Sequence, residues 1–213
     1  MTCAWCGAEL AGLRADAKCC SQACRQKLHR FRVAPACSTA AKPMTFKYGD
    51  PPYPGLARKY YGCAEVDHRK LVAELAAGSD GWALSTSAEA LPEVLPLVLE
   101  VSRAAAVRVC PWVKGSRKGA AWRARNAWEP LIVVGGRPRR LDVAEDLDDV
   151  LCWGGRQHSH PRALVGMKPA PFWEWLFRLL GAERGDAFVD LFPGSGAGAR
   201  AWDLYTSPLQ VSQ

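Results

Sequence analysis

The chain of 213 residues is 49% hydrophobic and 23% charged, the make-up of a folded globular protein, which excludes an intrinsically disordered tail. Its formal charge of +7 favours a polyanionic partner or an anionic surface. No apolar run approaches the ~20 residues of a membrane span, and Met1 leads directly into a cysteine-rich polar segment rather than a signal peptide, so no membrane contact and a cytoplasmic location are expected.

In chain order the first part is residues 1–32, which hold five of the nine cysteines. An odd cysteine count without secretion features points to metal ligands rather than disulfides. Cys3 and Cys6 are followed by thirteen residues and then by Cys20 and Cys24, a spacing that suits tetrahedral Zn2+. Cys19 or His29 can stand in for Cys20, so one ligand stays open between them. Residues 33–43, rich in small side chains with a proline near each end, read as a linker.

From residue 44 to 213 strand-like and helix-like segments alternate, which predicts an α/β layered domain. Strands are expected near 45–49, 82–86, 107–113, 130–135, 149–153 and 187–192. Helices are expected near 65–77, 88–102, 171–181 and 196–204. Phe172, Trp175, Leu176, Leu179 and Leu180 recur at helical spacing, with Gly181 as a stop.

The first chemistry-bearing segment is Asp50-Pro51-Pro52-Tyr53, placed just after a strand. Two prolines make a rigid loop at the usual ligand edge of an α/β sheet and offer carbonyl acceptors with no competing N–H. That suits an aromatic amino group, whose lone pair is delocalised into its ring. The Asp50 carboxylate and the Pro51 carbonyl can hold the two amino protons and push the nitrogen toward tetrahedral geometry, while Tyr53 stacks on a flipped base.

This tetrapeptide resembles the catalytic motif of the DNA amino-methyltransferases, which make N6-methyladenine or N4-methylcytosine. A second segment carries the resemblance further. Phe188-Val189-Asp190-Leu191-Phe192-Pro193-Gly194-Ser195-Gly196 reads as a strand, a glycine turn and the start of a helix, and glycines there let backbone approach a ligand closely. It is similar to the family's loop around the methionine end of S-adenosylmethionine. The resemblance implies cofactor contacts from Asp190, Phe192, Pro193, Gly194, Ser195 and Gly196. Position 199 is Ala, so the spacing of a dinucleotide-binding loop is absent. Lys168-Pro169 opens the 171–181 helix and resembles a family element bordering the cofactor pocket.

The catalytic loop precedes the cofactor loop, as in circularly permuted members of the family. The resemblance therefore implies a minimal, permuted Rossmann-like methyltransferase fold at 44–213, behind the zinc module. Family members usually carry a further strand whose terminal acid binds the cofactor ribose. Only Asp203 follows the loop here, within the helix-like segment, and it is a poor substitute.

Ten Lys or Arg against the single acid Glu129 fall between Arg103 and Arg140. Within that stretch Lys114, Arg117, Lys118, Arg123 and Arg125 are expected to grip phosphates of double-stranded DNA. Trp112 and Trp122 suit base stacking or core packing equally. Asn126-Ala127-Trp128-Glu129-Pro130 resembles a stretch of small phage-type members, so a phage or restriction–modification setting is implied.

Cys37, Cys63, Cys110 and Cys152 read as small hydrophobes. The sequence has Cys110-Pro111 but no Pro-Cys, which disfavours C5-cytosine chemistry. His158 and His160 read as a polar loop. The reading is adenine N6 methylation. The alternatives are cytosine N4, an RNA or protein amide substrate, and a non-catalytic zinc-dependent DNA-binding protein on a decayed methyltransferase fold.

Overall fold

The computed structural model describes residues 3, 17–22, 24–25, 42–58, 62, 64–102, 105–114, 124, 126–138, 146–153 and 167–207. Six strands and four longer helices follow one another: β1 (Thr45–Gly49), α1 (His68–Ala76), β2 (Gly81–Ser85), α2 (Leu91–Ser102), β3 (Val107–Val113), β4 (Trp128–Gly135), β5 (Leu151–Cys152), α3 (Ala170–Leu180), β6 (Ala187–Asp190) and α4 (Ala197–Thr206). Each falls on a segment expected from the sequence, and the boundaries differ where a side chain captures backbone. Helix α1 starts at 68 rather than 65 because the Asp67 carboxylate accepts the Lys70 N–H at 3.1 Å. The Ser87 hydroxyl accepts the Ala90 N–H at 3.0 Å, so 88–90 form a turn ahead of α2. Gly181, at φ 65°, ends α3 as its position foretold.

The strands form one sheet in the order β5-β3-β4-β2-β1-β6. Strands β6, β1 and β2 are mutually parallel, β4 runs antiparallel to both β2 and β3, and β3 is parallel to β5. Five carboxyl ends and the amino end of β4 therefore meet at one edge of the sheet.

The two faces of the sheet are filled by alternate residues of each strand, as the pleat requires. Trp82, Leu84, Ile132 and Val134 pack with Leu71, Val72 and Leu75 of α1 and Val94 and Val98 of α2. Phe46, Tyr48, Ala83, Leu131 and Val133 belong to the other cluster, with Phe172, Trp173 and Phe177 of α3 and Tyr205 of α4. Strand β2 is buried throughout, which explains its run Trp82-Ala83-Leu84. The α3–α4 side is an aromatic lattice in which the Phe177 ring lies 5.0 Å from Phe188 and 5.1 Å from both Trp202 and Tyr205. Each fully buried ring of this kind contributes about 1.5–3 kcal/mol of transfer free energy. Helix α4 approaches so closely that a Cβ on Gly198 would meet the Asp190 Oδ2 at 2.7 Å and the Trp173 ring at 2.8 Å.

No helix among the described residues is long and apolar enough to cross a membrane.

Candidate active site

Strands β1 and β6 are paired so that Tyr48 sits opposite Asp190. Two residues beyond Tyr48 the chain reaches Asp50, and directly after Asp190 it enters the glycine loop. The two segments singled out in the sequence, far apart along the chain, are thus neighbours because two parallel strands end together.

Asp50 opens the proline loop with Pro51 buried behind it and Pro52 and Tyr53 half-buried. The Lys168 ammonium donates to Asp50 Oδ2 at 2.6 Å, with the Lys168 side chain only 3% exposed and that of Asp50 21%. The same ammonium lies 3.9 Å from Glu129 Oε2, and Glu129 is ion-paired in turn with Lys114. These four groups alternate in sign and sum to zero. Charges this deep are stable only as a paired set. The Lys168 nitrogen also stands 5.7 Å from the ring centres of both Trp112 and Phe172, and Lys114 stands 4.8 Å from Trp112. Pro169 caps α3 in extended conformation, and its carbonyl accepts the Phe172 N–H at 2.9 Å.

The glycine loop is held by its own polar groups. Asp190 Oδ1 accepts the Phe192 N–H at 3.0 Å, which ends β6 at 190 rather than the expected 192. Arg200 donates to the Ser195 carbonyl at 2.8 Å, and the Gly196 N–H to the Pro193 carbonyl at 2.6 Å. Gly194 and Gly196 hold φ of 45° and 71°, which L side chains rarely adopt. Gly194 faces open space, since a Cβ there would meet nothing closer than the Phe192 carbonyl at 3.8 Å. The loop is therefore shaped for close approach from outside while Gly198 is crowded from beneath. Burial pushes the Asp190 carboxyl above its ordinary range; the Phe192 N–H opposes that and the Asp50 charge adds to it.

Beneath the site the Tyr48 and Ser85 hydroxyls are 2.8 Å apart and buried. Burial, reinforced by the Asp50 charge, pushes the Tyr48 hydroxyl well above its usual range. Glu129, Tyr48 and Ser85 were not among the site residues expected from sequence. For Glu129 a signal existed, because it is the one acid among ten bases between 103 and 140.

The Sγ atoms of Cys3, Cys20 and Cys24 all lie within 4.8 Å of one another. A helical turn presents two of them: the Ser21 hydroxyl accepts the Cys24 N–H at 3.1 Å, and the Cys20 and Cys24 sulfurs are 3.5 Å apart. Cys20, rather than Cys19, completes this triad. Burial pushes the Cys19 thiol up, and the adjacent Cys3 pushes it further. Cys6 and His29 lie outside the described residues, as do Arg117, Lys118, Trp122, Arg123, Arg125, His158 and His160.

Trp112 is 2% exposed and belongs to the core. Cys110 behaves as the small hydrophobe expected, its thiol pushed up to about 12 by burial. Cys152 departs from that expectation, being exposed at the end of the two-residue β5.

No family model matches the sequence, and no curated protein is similar to it. Solved structures do match. The M1.HpyAVI–SAM complex superposes with a TM-score of 0.51 at 16% identity, over 76% of this chain and 79% of that one. The two chains share a fold. A second M1.HpyAVI structure covers 84% of this chain and 82% of that one, with a TM-score of 0.49 at 13% identity. The first match bears out the mixed, Rossmann-like α/β architecture expected from the sequence.

Proposed function

We propose that the chain is an S-adenosylmethionine-dependent methyltransferase that modifies the exocyclic amino group of a DNA base, adenine N6 before cytosine N4. One observation carries this reading: the register of Tyr48 against Asp190 sets an acceptor loop beside an open glycine loop at a single sheet edge. The likeness in fold to a protein solved with SAM supports it.

The residues present fit such a ligand. Gly194 and Gly196 give a left-handed turn with free space outside Gly194, and Asp190, Phe192, Pro193 and Ser195 would complete the cradle. When bound, S-adenosylmethionine supplies an electrophilic methyl on a sulfonium, and the attack of the amine releases a neutral thioether. Asp50 does the rest of the work with its loop. Lys168 occupies Oδ2, which leaves Oδ1 to accept one amino proton while the Pro51 carbonyl accepts the other. Holding both protons turns the nitrogen lone pair out of the ring, and the proton lost from nitrogen leaves along the Asp50 contact. The base is flipped into this loop at a cost of a few kcal/mol and stacks on Tyr53.

Residues 1–32 are proposed as a zinc module in which Cys3, Cys20 and Cys24 are joined by Cys6, with 44–213 as the transferase domain. Structural zinc supplies on the order of 10 kcal/mol of folding free energy to a segment with little core of its own. Arg117, Lys118, Arg123 and Arg125 are proposed to bring phosphates of double-stranded DNA to the site edge, whereas Lys114, expected to join them, is 12% exposed and ion-paired with Glu129.

The test is nucleoside mass spectrometry of unmethylated DNA incubated with the protein and deuteromethyl-labelled S-adenosylmethionine, beside Asp50→Ala. Labelled N6-methyladenine that vanishes in Asp50→Ala is the expected result. Labelled N4-methylcytosine keeps the mechanism and changes the base. Cofactor binding without any labelled base redirects the reading to RNA or protein amides, and no cofactor binding leaves a zinc-dependent DNA-binding protein.

A further inference from the structure

We infer that Glu129 is a positioning residue that works through Lys168 to fix Asp50, an inference that rests on the proposed transferase reading. Glu129 is the second residue of β4, paired across the sheet with Trp112. Because β4 alone runs against its neighbours, it delivers a carboxylate to an edge otherwise made of strand carboxyl ends. That carboxylate is 15% exposed and has two cations around it, Lys114 in an ion pair and Lys168 at 3.9 Å.

Lys168 has two carboxylates to choose from and is hydrogen-bonded to one, Asp50 Oδ2 at 2.6 Å. Glu129 keeps its ammonium from settling over the Asp50 carboxylate to engage both oxygens, because it is a second anion 3.9 Å from that ammonium. Lys114 in turn neutralises Glu129, so the string ends without an excess charge. Asp50 is left with one oxygen clamped and one directed to the substrate. Loss of the Glu129 charge lets Lys168 settle wholly on Asp50, so the proton-accepting oxygen is misplaced and weakened. Small misplacements at a reacting centre cost about 100-fold in rate.

The experiment compares wild type, Glu129→Gln and Glu129→Asp in the full chain. It reads single-turnover methyl transfer to unmethylated DNA, equilibrium binding of S-adenosylmethionine, and the NMR resonance of the Lys168 ammonium, assigned by its loss in Lys168→Met. Expected are a rate lowered about 10- to 100-fold in Glu129→Gln, cofactor affinity within about twofold of wild type, a shifted ammonium resonance, and partial recovery in Glu129→Asp. If Glu129→Gln does not fold, Glu129→Asp carries the same test, with a smaller loss of rate at unchanged cofactor affinity. A rate and an ammonium resonance both unchanged would overturn the inference, and so would a loss of cofactor affinity in step with the rate. If wild type transfers no methyl at all, the transferase reading fails, while the ammonium resonance alone still decides whether Glu129 holds Lys168 on Asp50.

Discussion

The Tyr48 and Ser85 hydroxyls face each other at 2.8 Å from adjacent parallel strands, buried directly under the loop that Asp50 opens. Neither group has water to fall back on, so each satisfies the other. Tyr48→Phe leaves the Ser85 oxygen buried and alone, which costs about 1–3 kcal/mol. Removing both, as Tyr48→Phe with Ser85→Ala, is expected to cost less than the two single changes added together. Urea unfolding of the three variants measures this, and strict additivity would show that the hydroxyls do not interact.

Lys168 is the cation that two carboxylates share. Lys168→Met keeps the length and apolar stem but leaves Asp50 without its cation and Glu129 with Lys114 alone. Breaking a buried pair in this way costs about 3–5 kcal/mol. The variant is expected to unfold at lower urea concentration and to lose methyl transfer. Unchanged stability would mean that the ammonium is not held between the two acids.

Gly198 has no room for a methyl group. Gly198→Ala drives a carbon toward the Asp190 carboxylate and the Trp173 ring, and overpacking of this kind costs about 1–3 kcal/mol. Because α4 starts from the glycine loop, cofactor affinity should fall along with stability. Isothermal titration with S-adenosylmethionine beside thermal unfolding checks both. A variant of wild-type stability and affinity would show that α4 can shift without disturbing the loop.

Asp190 gives a pH signature. Its carboxyl is raised by burial above the ordinary 3.8, so the folded protein holds that proton more tightly than the unfolded chain. Its contribution to stability is complete below 3.8 and is lost as pH rises through the folded value. The stability of wild type minus that of Asp190→Asn should therefore decline as pH rises from 3 toward neutrality. A difference that grows with pH would reverse the assignment.

Zinc is tested by content and removal. One equivalent of Zn2+ per chain is expected, falling in Cys24→Ser, and a chelator should unfold residues 1–32 while the sheet retains its circular dichroism. Retention of full zinc in Cys24→Ser would remove that sulfur from the ligand set.

The parts of the site that sequence revealed are those whose reasons are local. Asp50-Pro51-Pro52-Tyr53 follows a strand-like run, and the glycines of 194–196 follow another, so each loop could be placed at a strand end. The stop at Gly181 and the aromatic spacing of α3 are equally local. Strand direction is not. Nothing in Trp128–Gly135 tells that β4 runs against β2, because that depends on the paths of the connections. Glu129 was therefore visible as an isolated acid but not as a member of the site. The Lys168–Asp50 contact spans 118 positions, and only the folded sheet brings its partners together. The cysteine triad was legible in its spacing, whereas the choice of Cys20 over Cys19 depends on the turn that Ser21 caps.

The charged string also has a mechanical side. Asp50, Lys114 and Glu129 all adjoin strand ends, whereas Lys168 arrives with α3 from the helical layer. Any outward slip of that layer draws one ammonium away from two anions at once, so the contact behaves as a latch whose two catches release together. The same layers are also joined by aromatic packing and by the Arg137 N–H, which donates to the Leu180 carbonyl at 2.9 Å. Added salt should do little to loosen the latch, since a group 3% exposed is poorly reached by mobile ions.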